Sequence, residues 1–309
     1  MKAVSPAPNR GREAARPRTL RALLGEAVER FDNAQLSYGH GTTNALDEAA
    51  WLVTHAVGLP FAALDAHLDE PLPEAKWKAA RELIARRVRT RKPAAYLIHE
   101  AWLGPHRFYV DERVIVPRSF IGELLLRGHF RGKPGRVLDL CTGSGCLAIV
   151  AALTFPAAEV DAADLSDDAL AVAGRNVDDY GLGSRVRLVK SDLFSALEGR
   201  RYDLILSNPP YVKASSMRTL PPEYRREPAL ALASGSDGLD HTPAILAEAR
   251  AHLNPRGRIA VEIGHNRKAL EKAYPRLPLR WPKVAAGTGF VFELAREELP
   301  AEGGKGRHA

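Results

Sequence analysis

The sequence predicts an α/β protein built on a doubly wound, Rossmann-like and mostly parallel sheet. Short apolar runs typical of buried strands alternate with helix-like stretches over the second half of the 309-residue chain. An antiparallel hairpin at the edge of the sheet is expected at the end, from residues 280–284 and 289–295 with a turn at 285–288. The predicted parallel strands are 136–140, 159–163, 186–190, 202–207 and 257–262.

A glycine-rich loop follows the first of these strands. Gly143, Gly145 and Ala148 form the pattern G-x-G-x-x-A, which leads into a helix-like segment. Such residues permit a tight turn, close approach of the backbone to a ligand, and close packing of the helix on the strand. The pattern alone fits dinucleotide, flavin and adenosylmethionine sites alike.

Acidic residues follow the second and third strands. Asp164 comes after the second strand, where one carboxylate can accept hydrogen bonds from both hydroxyls of a ribose. Asp192 comes after the third, where it can accept from an adenine amino group while Leu193 covers the ring. Ligands of open α/β sheets bind at the carboxyl ends of strands, so these residues are expected at one nucleoside site.

The fourth strand ends in Asn208-Pro209-Pro210-Tyr211. Two consecutive prolines stop both a strand and a helix, which places the Asn at the edge of the sheet. The Asn208 side-chain oxygen and the Pro209 carbonyl can accept both hydrogens of an NH2 group, and the Tyr211 ring can pack on its planar face. The motif predicts a holder for an amide or exocyclic amine during alkylation.

In this order the four strand ends resemble the class I S-adenosylmethionine-dependent methyltransferases, specifically the PrmB/HemK glutamine methyltransferases. The resemblance runs from about Leu20 to Ala295. The V-P-R-S sequence at 116–119 and the cysteines Cys141 and Cys146 around the T-G-S-G loop favour the branch that acts on ribosomal protein three of the large subunit. Further segments resembling the family are P-x-x-Y-L at 93–97, a hairpin with a P-R turn at 108–118, E-P-x-x-A-L at 227–232 and E-I-G at 262–264.

The resemblance implies methyl transfer from S-adenosylmethionine to the side-chain amide of a glutamine, with catalysis by positioning and no metal. The catalytic residues are predicted to be Asn208, Pro209 and Tyr211. The substrate is predicted to contact these three together with Pro210 and Arg118. The predicted cofactor-binding residues are Asp139, Thr142, Gly143, Ser144, Gly145, Asp164, Asp192, Leu193 and Asn208.

Local patterns and the resemblance together divide the chain into five parts. Apolar residues at helical spacing predict three amphipathic helices before residue 90. By resemblance this segment is a substrate-recognition domain. The expected parts are a disordered basic tail at 1–18, a helical domain at 19–95, a linking hairpin and turn at 96–130, a methyltransferase domain at 131–296 and a disordered tail at 297–309.

Composition indicates location and partners. The net charge is +7, and no apolar window approaches the ~18 residues of a membrane span or resembles a secretory signal. A cytoplasmic location is predicted. The third helix ends in a run of cationic residues. The helix dipole favours positive charge at this end, but such a run can also contact the phosphates of ribosomal RNA. The run consists of Arg86, Arg87, Arg89, Arg91 and Lys92.

Other functions fit some of the motifs. Methylation of a release-factor glutamine uses the same chemistry. Ribosomal RNA amines fit the same clamp, although no separate base-reading domain fits after Tyr211. A non-catalytic assembly factor is disfavoured because Asn208, Gly143 and Asp164 are all intact.

Overall fold

The computed structural model describes residues 18–300, so most of both predicted tails lies outside the described residues. This part of the chain divides into two units. Residues 18–36 and 44–90 form the first unit, and residues 37–43 together with 91–300 form the second. Among residues 18–300, no helix is both long enough and apolar enough to span a bilayer.

The first unit consists of the predicted helices. Thr19 and Asn44 cap the first two, and the Asn44 side chain accepts a hydrogen bond from the Asp47 backbone at 2.9 Å. Leu23 and Phe31 are fully buried on one face of the first helix, as its periodicity predicts. The helices are α1 (Leu20–Asn33), α2 (Ala45–Val57) and α3 (Glu74–Thr90), with short 3-10 turns at Phe61–Ala63 and Asp65–His67.

For one residue of the run predicted to contact RNA, the structure contradicts the sequence prediction. Arg87 is fully buried, and its Nε lies 2.6 Å from Glu48 Oε1 inside the first unit. A buried guanidinium in such an ion pair cannot reach a phosphate, so the prediction is wrong for Arg87. In the second unit, Arg91 and Lys92 form ion pairs with Glu223 and Glu112 respectively. The remaining two members, Arg86 and Arg89, are exposed.

In chain order, the first helix of the second unit is α4 (Ala94–Ile98). It is followed by two antiparallel strands, β1 (Ala101–Leu103) and β2 (His106–Phe108). This hairpin lies earlier than the hairpin and P-R turn predicted at 108–118. Gly104, at φ 59°, and Pro105 make the turn between the strands. Beyond Phe108 the Tyr109 N–H donates to Asn176 Oδ1 at 2.7 Å, so the chain leaves the ladder at that point.

The central sheet has six strands in the order β5-β4-β3-β6-β7-β8. All neighbours are parallel except β7 and β8, which confirms the doubly wound class with an antiparallel edge. The strands are β3 (Arg136–Leu140), β4 (Glu159–Asp164), β5 (Val186–Lys190), β6 (Tyr202–Ser207), β7 (Leu253–Glu262) and β8 (Val291–Ala295). The helices are α5 (Phe120–Leu126), α6 (Cys146–Thr154), α7 (Asp167–Asp179), α8 (Ala214–Met217), α9 (Thr242–Glu248) and α10 (Arg267–Ala273).

The edge hairpin is shorter than predicted. Its second arm forms β8, but the first arm is reduced to an isolated antiparallel bridge between Arg280 and Glu293. Pro282 has no N–H to donate, which prevents the arm from continuing as a regular strand. The disordered tail was predicted to start at residue 297, which is too early. Leu299 is buried in the core, and its carbonyl accepts a hydrogen bond from Arg250 Nη1 at 2.7 Å.

Candidate active site

The carboxyl ends of β3, β4, β5 and β6 open onto one cleft, which we call the cofactor cleft. It brings together most of the predicted cofactor contacts from four separate strands. Arg113 and Ile115, from the segment before α5, lie on another part of its wall. The predicted residues that line it are Gly143, Asp164, Asp192, Leu193, Asn208 and Pro210.

The two glycines of the loop have different structural roles. Gly143 has φ 57°, and nothing in residues 18–300 lies within 4 Å of the position that a Cβ would occupy there. Gly145 has φ 79°, and a Cβ there would lie 3.1 Å from Ala173 Cβ on α7. The loop is therefore open at Gly143, where a ligand can approach its backbone, and tightly packed on the neighbouring helix at Gly145.

Asp139 supports the loop from beneath. Its Oδ2 accepts hydrogen bonds from Thr142 Oγ1 at 2.5 Å and from the Ala148 N–H at 3.0 Å. Burial raises the pKa of Asp139 to about 7, against these hydrogen bonds. Asp139, Thr142 and Ser144 are all buried, so Asp139 supports the loop, and the cofactor contacts of these three residues stay predictions.

The Asp164 carboxylate links β4 to the glycine loop. Its Oδ2 accepts from the Gly143 N–H and its Oδ1 from the Ser166 N–H, both at 2.9 Å. Burial raises the pKa of Asp164, while these backbone hydrogen bonds lower it. Each carboxylate oxygen offers about two acceptor sites, so both retain one for a ribose hydroxyl.

The end of β5 is strained where it meets the cofactor cleft. Leu193 has φ 47°, a left-handed conformation that is uncommon for a bulky side chain. Ser191 Oγ stabilises it by donating to the Leu193 carbonyl at 2.6 Å. Asp192, next to it, is exposed. Such strain is concentrated at functional sites, where the surrounding structure holds it in place.

Asn208 lies between the cofactor cleft and a second cleft, which we call the substrate cleft. Residues lining the substrate cleft include Asn208, Pro209, Tyr211, Arg118, Phe120 and His265. Asn208 Oδ1 is buried and has no hydrogen-bond partner among residues 18–300. Leaving a buried acceptor unpaired costs about 1–3 kcal/mol. A ligand that brings an N–H donor to this point would remove that cost.

Tyr211 is positioned by a residue far away in the sequence. Its hydroxyl lies 3.3 Å from Glu262 Oε1 at the end of β7. Glu262 is fully buried, and its Oε2 accepts from Ser119 Oγ at 2.7 Å and from the Phe120 N–H at 2.9 Å. Burial raises the pKa of Glu262 to about 7. The sequence interpretation missed this connection, although its E-I-G and V-P-R-S motifs contain Glu262 and Ser119.

Arg118 lines the substrate cleft but is already engaged. Its Nη1 and Nη2 donate to the two carboxylate oxygens of Glu227 at 2.5 and 2.6 Å. Glu227 is buried, yet interactions with His40 and Arg118 lower its pKa to about 2. His40 Nε2 lies 3.5 Å from Glu227 Oε2. The substrate contact of Arg118 stays a prediction, and its positioning by Glu227 was not anticipated.

The strand order, the glycine loop and the polar strand ends together define a class I methyltransferase. Residues 121–220 match the family model of the methyltransferase small domain, and residues 23–98 match that of the PrmC N-terminal domain. The methyl donor is S-adenosylmethionine, and the open loop at Gly143 with the free acceptor sites of Asp164 fits its methionyl and ribose parts.

Relatives identify the family. The chain is 55% identical to the ribosomal protein uL3 glutamine methyltransferase of Neisseria meningitidis, over 92% of this chain and 95% of the relative. It is 52% identical to that of Burkholderia pseudomallei (93% and 97%) and 48% identical to that of Bradyrhizobium diazoefficiens (91% and 92%). The chain belongs to the ribosomal protein uL3 glutamine methyltransferase family, as its sequence motifs indicated.

We expect Gly264→Ala to lower turnover by displacing Tyr211. Gly264 has φ 54°, and an added Cβ would lie 2.7 Å from the Tyr211 ring. Gly181→Ala is the matched control, because Gly181 has φ 63° but no other described residue lies near its Cβ position. Both variants should lose about 1 kcal/mol of stability from the left-handed backbone. Only Gly264→Ala should lose about tenfold or more in kcat, since small misplacements reduce rates strongly. Equal kcat values for the two variants would contradict the positioning role of Tyr211.

Glu262 is expected to make stability pH-dependent. The folded-state pKa of about 7 lies above the ordinary value of 4.5, so the stabilisation is complete below pH 4.5 and is lost as pH rises to about 7. At 1.36 kcal/mol per pKa unit, the loss is of the order of 3 kcal/mol. Urea unfolding at pH 5 and pH 8 should show a smaller difference for Glu262→Gln than for wild type. Glu159→Gln, at an exposed position, is the control and should behave as wild type. An unchanged pH dependence in Glu262→Gln would refute the assignment.

Proposed function

We propose that this protein transfers a methyl group to the side-chain amide nitrogen of a glutamine in ribosomal protein uL3. The choice of substrate is supported by the names of its relatives. The observation that carries the chemistry is the buried Oδ1 of Asn208, unpaired among the described residues, at the junction of the two clefts. An amide NH2 supplies the donor that this oxygen lacks.

The clamp acts on the nucleophile by holding its hydrogens. A glutamine amide is a poor nucleophile because its lone pair is delocalised into the carbonyl. Asn208 Oδ1 and the Pro209 carbonyl accept the two N–H groups, which directs the nitrogen lone pair away from the clamp and toward the cofactor cleft. Pro209 and Pro210 have no N–H of their own, so no backbone donor of theirs competes with the substrate.

Tyr211 completes the proposed clamp. Its ring packs against Gly264, and its hydroxyl is held toward Glu262, so the ring has a defined orientation beside the substrate cleft. The enzyme's contribution is therefore positioning and electrostatic stabilisation by fixed acceptors. When bound, S-adenosylmethionine would supply an electrophilic methyl group, and the residues of the clamp would hold the amide nitrogen toward it.

The cofactor would be held by residues of three strand ends. The Gly143 backbone would approach the methionyl part, Asp164 would accept from the ribose hydroxyls, and Asp192 would accept from the adenine amino group. Leu193, in its strained conformation, would cover the adenine ring. Asn208 would contact both ligands, since it lines both clefts.

The location of the protein and a contact with ribosomal RNA are two further proposals. The protein acts in the cytoplasm, where ribosomal proteins are made. Arg86 and Arg89 would contact ribosomal RNA, which is supported by their exposure near the end of α3. Arg87 is not part of this contact.

The direct test offers purified enzyme and methyl-labelled S-adenosylmethionine to uL3, a peptide release factor and deproteinised ribosomal RNA in separate reactions, followed by peptide mapping. Label on a glutamine of uL3 is expected. Label on the release factor alone would keep the chemistry and replace the substrate. Label on RNA alone would mean that Asn208 holds a base amine.

A further inference from the structure

A basic groove lies at the amino end of the central sheet, opposite the cofactor cleft. Its cationic lining residues are Arg131, Lys133, Arg256 and Arg258. We propose that this groove, which we call the amino-end groove, binds the phosphate backbone of RNA. This binding is a function beyond methyl transfer. It rests on the proposed function in one respect: RNA is chosen as the polyanion because the proposed substrate, a ribosomal protein, is assembled on RNA.

The position of the groove follows from the sheet. Residues 131–135 lead into β3, Asp203 and Leu204 lie near the start of β6, and residues 255–258 lie toward the amino end of β7. These three strands are parallel and adjacent, so their amino ends share one edge. The predicted cofactor contacts lie at the opposite edge. A polyanion in the groove would therefore leave both clefts accessible.

The charges of the groove are unbalanced. None of its four cationic side chains has an ion-pair partner among residues 18–300. Within the described part of the chain, Asp203 is the single acidic residue in the lining. Its carboxylate already accepts hydrogen bonds from groups other than the four cations. Its Oδ2 accepts from the Gly135 and Arg136 N–H groups at 2.7 and 3.0 Å, and its Oδ1 accepts from Asn254 at 2.8 Å. A cluster of unpaired cations is the electrostatic signature of a phosphate-binding surface.

The backbone of β7 is distorted where it supplies Arg256. Tyr202 pairs with Leu253 and Leu204 with Arg258, so the four residues 254–257 stand opposite the single residue Asp203. Within this bulge Arg256 has φ 65°, a conformation that normally favours glycine or asparagine. A β-bulge changes the direction in which side chains point. In this bulge the left-handed position is occupied by an arginine that lines the groove, where a glycine would be the usual residue.

The groove favours phosphate over an acidic protein partner. Its large apolar lining residues, Phe130, Phe155 and Leu204, are all buried in the core. Protein interfaces depend on exposed apolar anchors at their centre, and the described residues of the lining provide none. Buried rings also leave no aromatic face for base stacking, so recognition would be of the backbone and not of the sequence.

The test measures fluorescence anisotropy of a labelled short single-stranded RNA with the full-length protein. Arg131→Gln/Lys133→Gln should bind about tenfold more weakly than wild type at physiological salt, and its salt slope should fall by about 1.4, or 0.7 per lost phosphate contact. Arg256→Asn should also weaken binding, and asparagine tolerates the left-handed backbone, so this variant is expected to fold. Lys268→Gln/Lys272→Gln is the matched control, with two exposed charges removed from α10, and should bind as wild type.

Three outcomes would overturn the proposal. The first is equal binding by wild type and the Arg131/Lys133 variant. The second is equal weakening by the α10 control and the Arg131/Lys133 variant, which would show that binding follows net charge and not the groove. The third is displacement of the RNA by poly-glutamate at equal charge concentration, which would show a general site for acidic chains. Methyl transfer to free uL3, measured in parallel, should be unchanged in every groove variant, so failure of RNA binding and failure of the proposed function are distinguishable.

Discussion

Asn208→Ala is expected to abolish most methyl transfer while leaving cofactor binding intact. Removing one fixed polar group that stabilises the reacting centre typically lowers kcat by about 10²–10³-fold. Asn208 supplies one of the two proposed acceptors for the amide hydrogens, so turnover should fall by about this factor. The dissociation constant for S-adenosylmethionine should change by less than about threefold, or 0.65 kcal/mol, because glycine-loop and carboxylate contacts remain.

The same variant has a second readout that does not depend on substrate. The Asn208 oxygen is a buried acceptor without a partner among residues 18–300, so its removal should not destabilise the fold. The free energy of unfolding should stay unchanged or rise by about 1 kcal/mol. A protein that is inactive but at least as stable would show that Asn208 is kept for function at the expense of stability. Retained turnover, or a large loss of stability, would contradict this account.

Asp164→Ala is expected to weaken S-adenosylmethionine binding by about 10- to 100-fold, because a charged hydrogen-bond acceptor contributes about 1.5–3 kcal/mol. The carboxylate also holds the Gly143 and Ser166 N–H groups, so its loss loosens the loop as well as removing the ribose contact. Asp164→Asn should lie between alanine and wild type, since its amide oxygen can still accept.

Titration calorimetry with S-adenosylmethionine provides the measurement. The control is Asp167→Ala, three residues along the chain, where the carboxylate is exposed and pairs with Lys190 away from the cleft lining. Its affinity should match wild type. If Asp164→Ala also binds as wild type, the ribose assignment is incorrect and another group of the cofactor cleft must hold the nucleoside.

Local sequence was sufficient for the elements that position the cofactor cleft. The predicted bounds of β3, β5 and β6 agree with the structure, because each run of strand-forming residues is followed within a few positions by glycine, acid or proline. Asn208 could be placed at a strand end because Pro209 and Pro210 cannot continue a ladder. These features are encoded within a few residues of the site itself.

Linking segments were less predictable. The hairpin was expected at 108–118 from the family resemblance, but β1 and β2 form earlier, around Gly104 and Pro105. The side chain of Asn176, 67 residues away, takes the Tyr109 N–H that a ladder would have used. Arg87 looked like part of an exposed basic run, yet Glu48 on another helix draws it into the core.

By itself the sequence determined the fold class, the order of the polar strand ends and the family, because periodicity, proline and glycine act locally. Only the tertiary structure decided what holds the reactive side chains. Glu262 reaches Tyr211 across 51 residues and Ser119 across 143, and Glu227 binds Arg118 across 109. The amino-end groove likewise joins three strands. Such contacts depend on which distant residues the sheet brings together, and no local pattern records them.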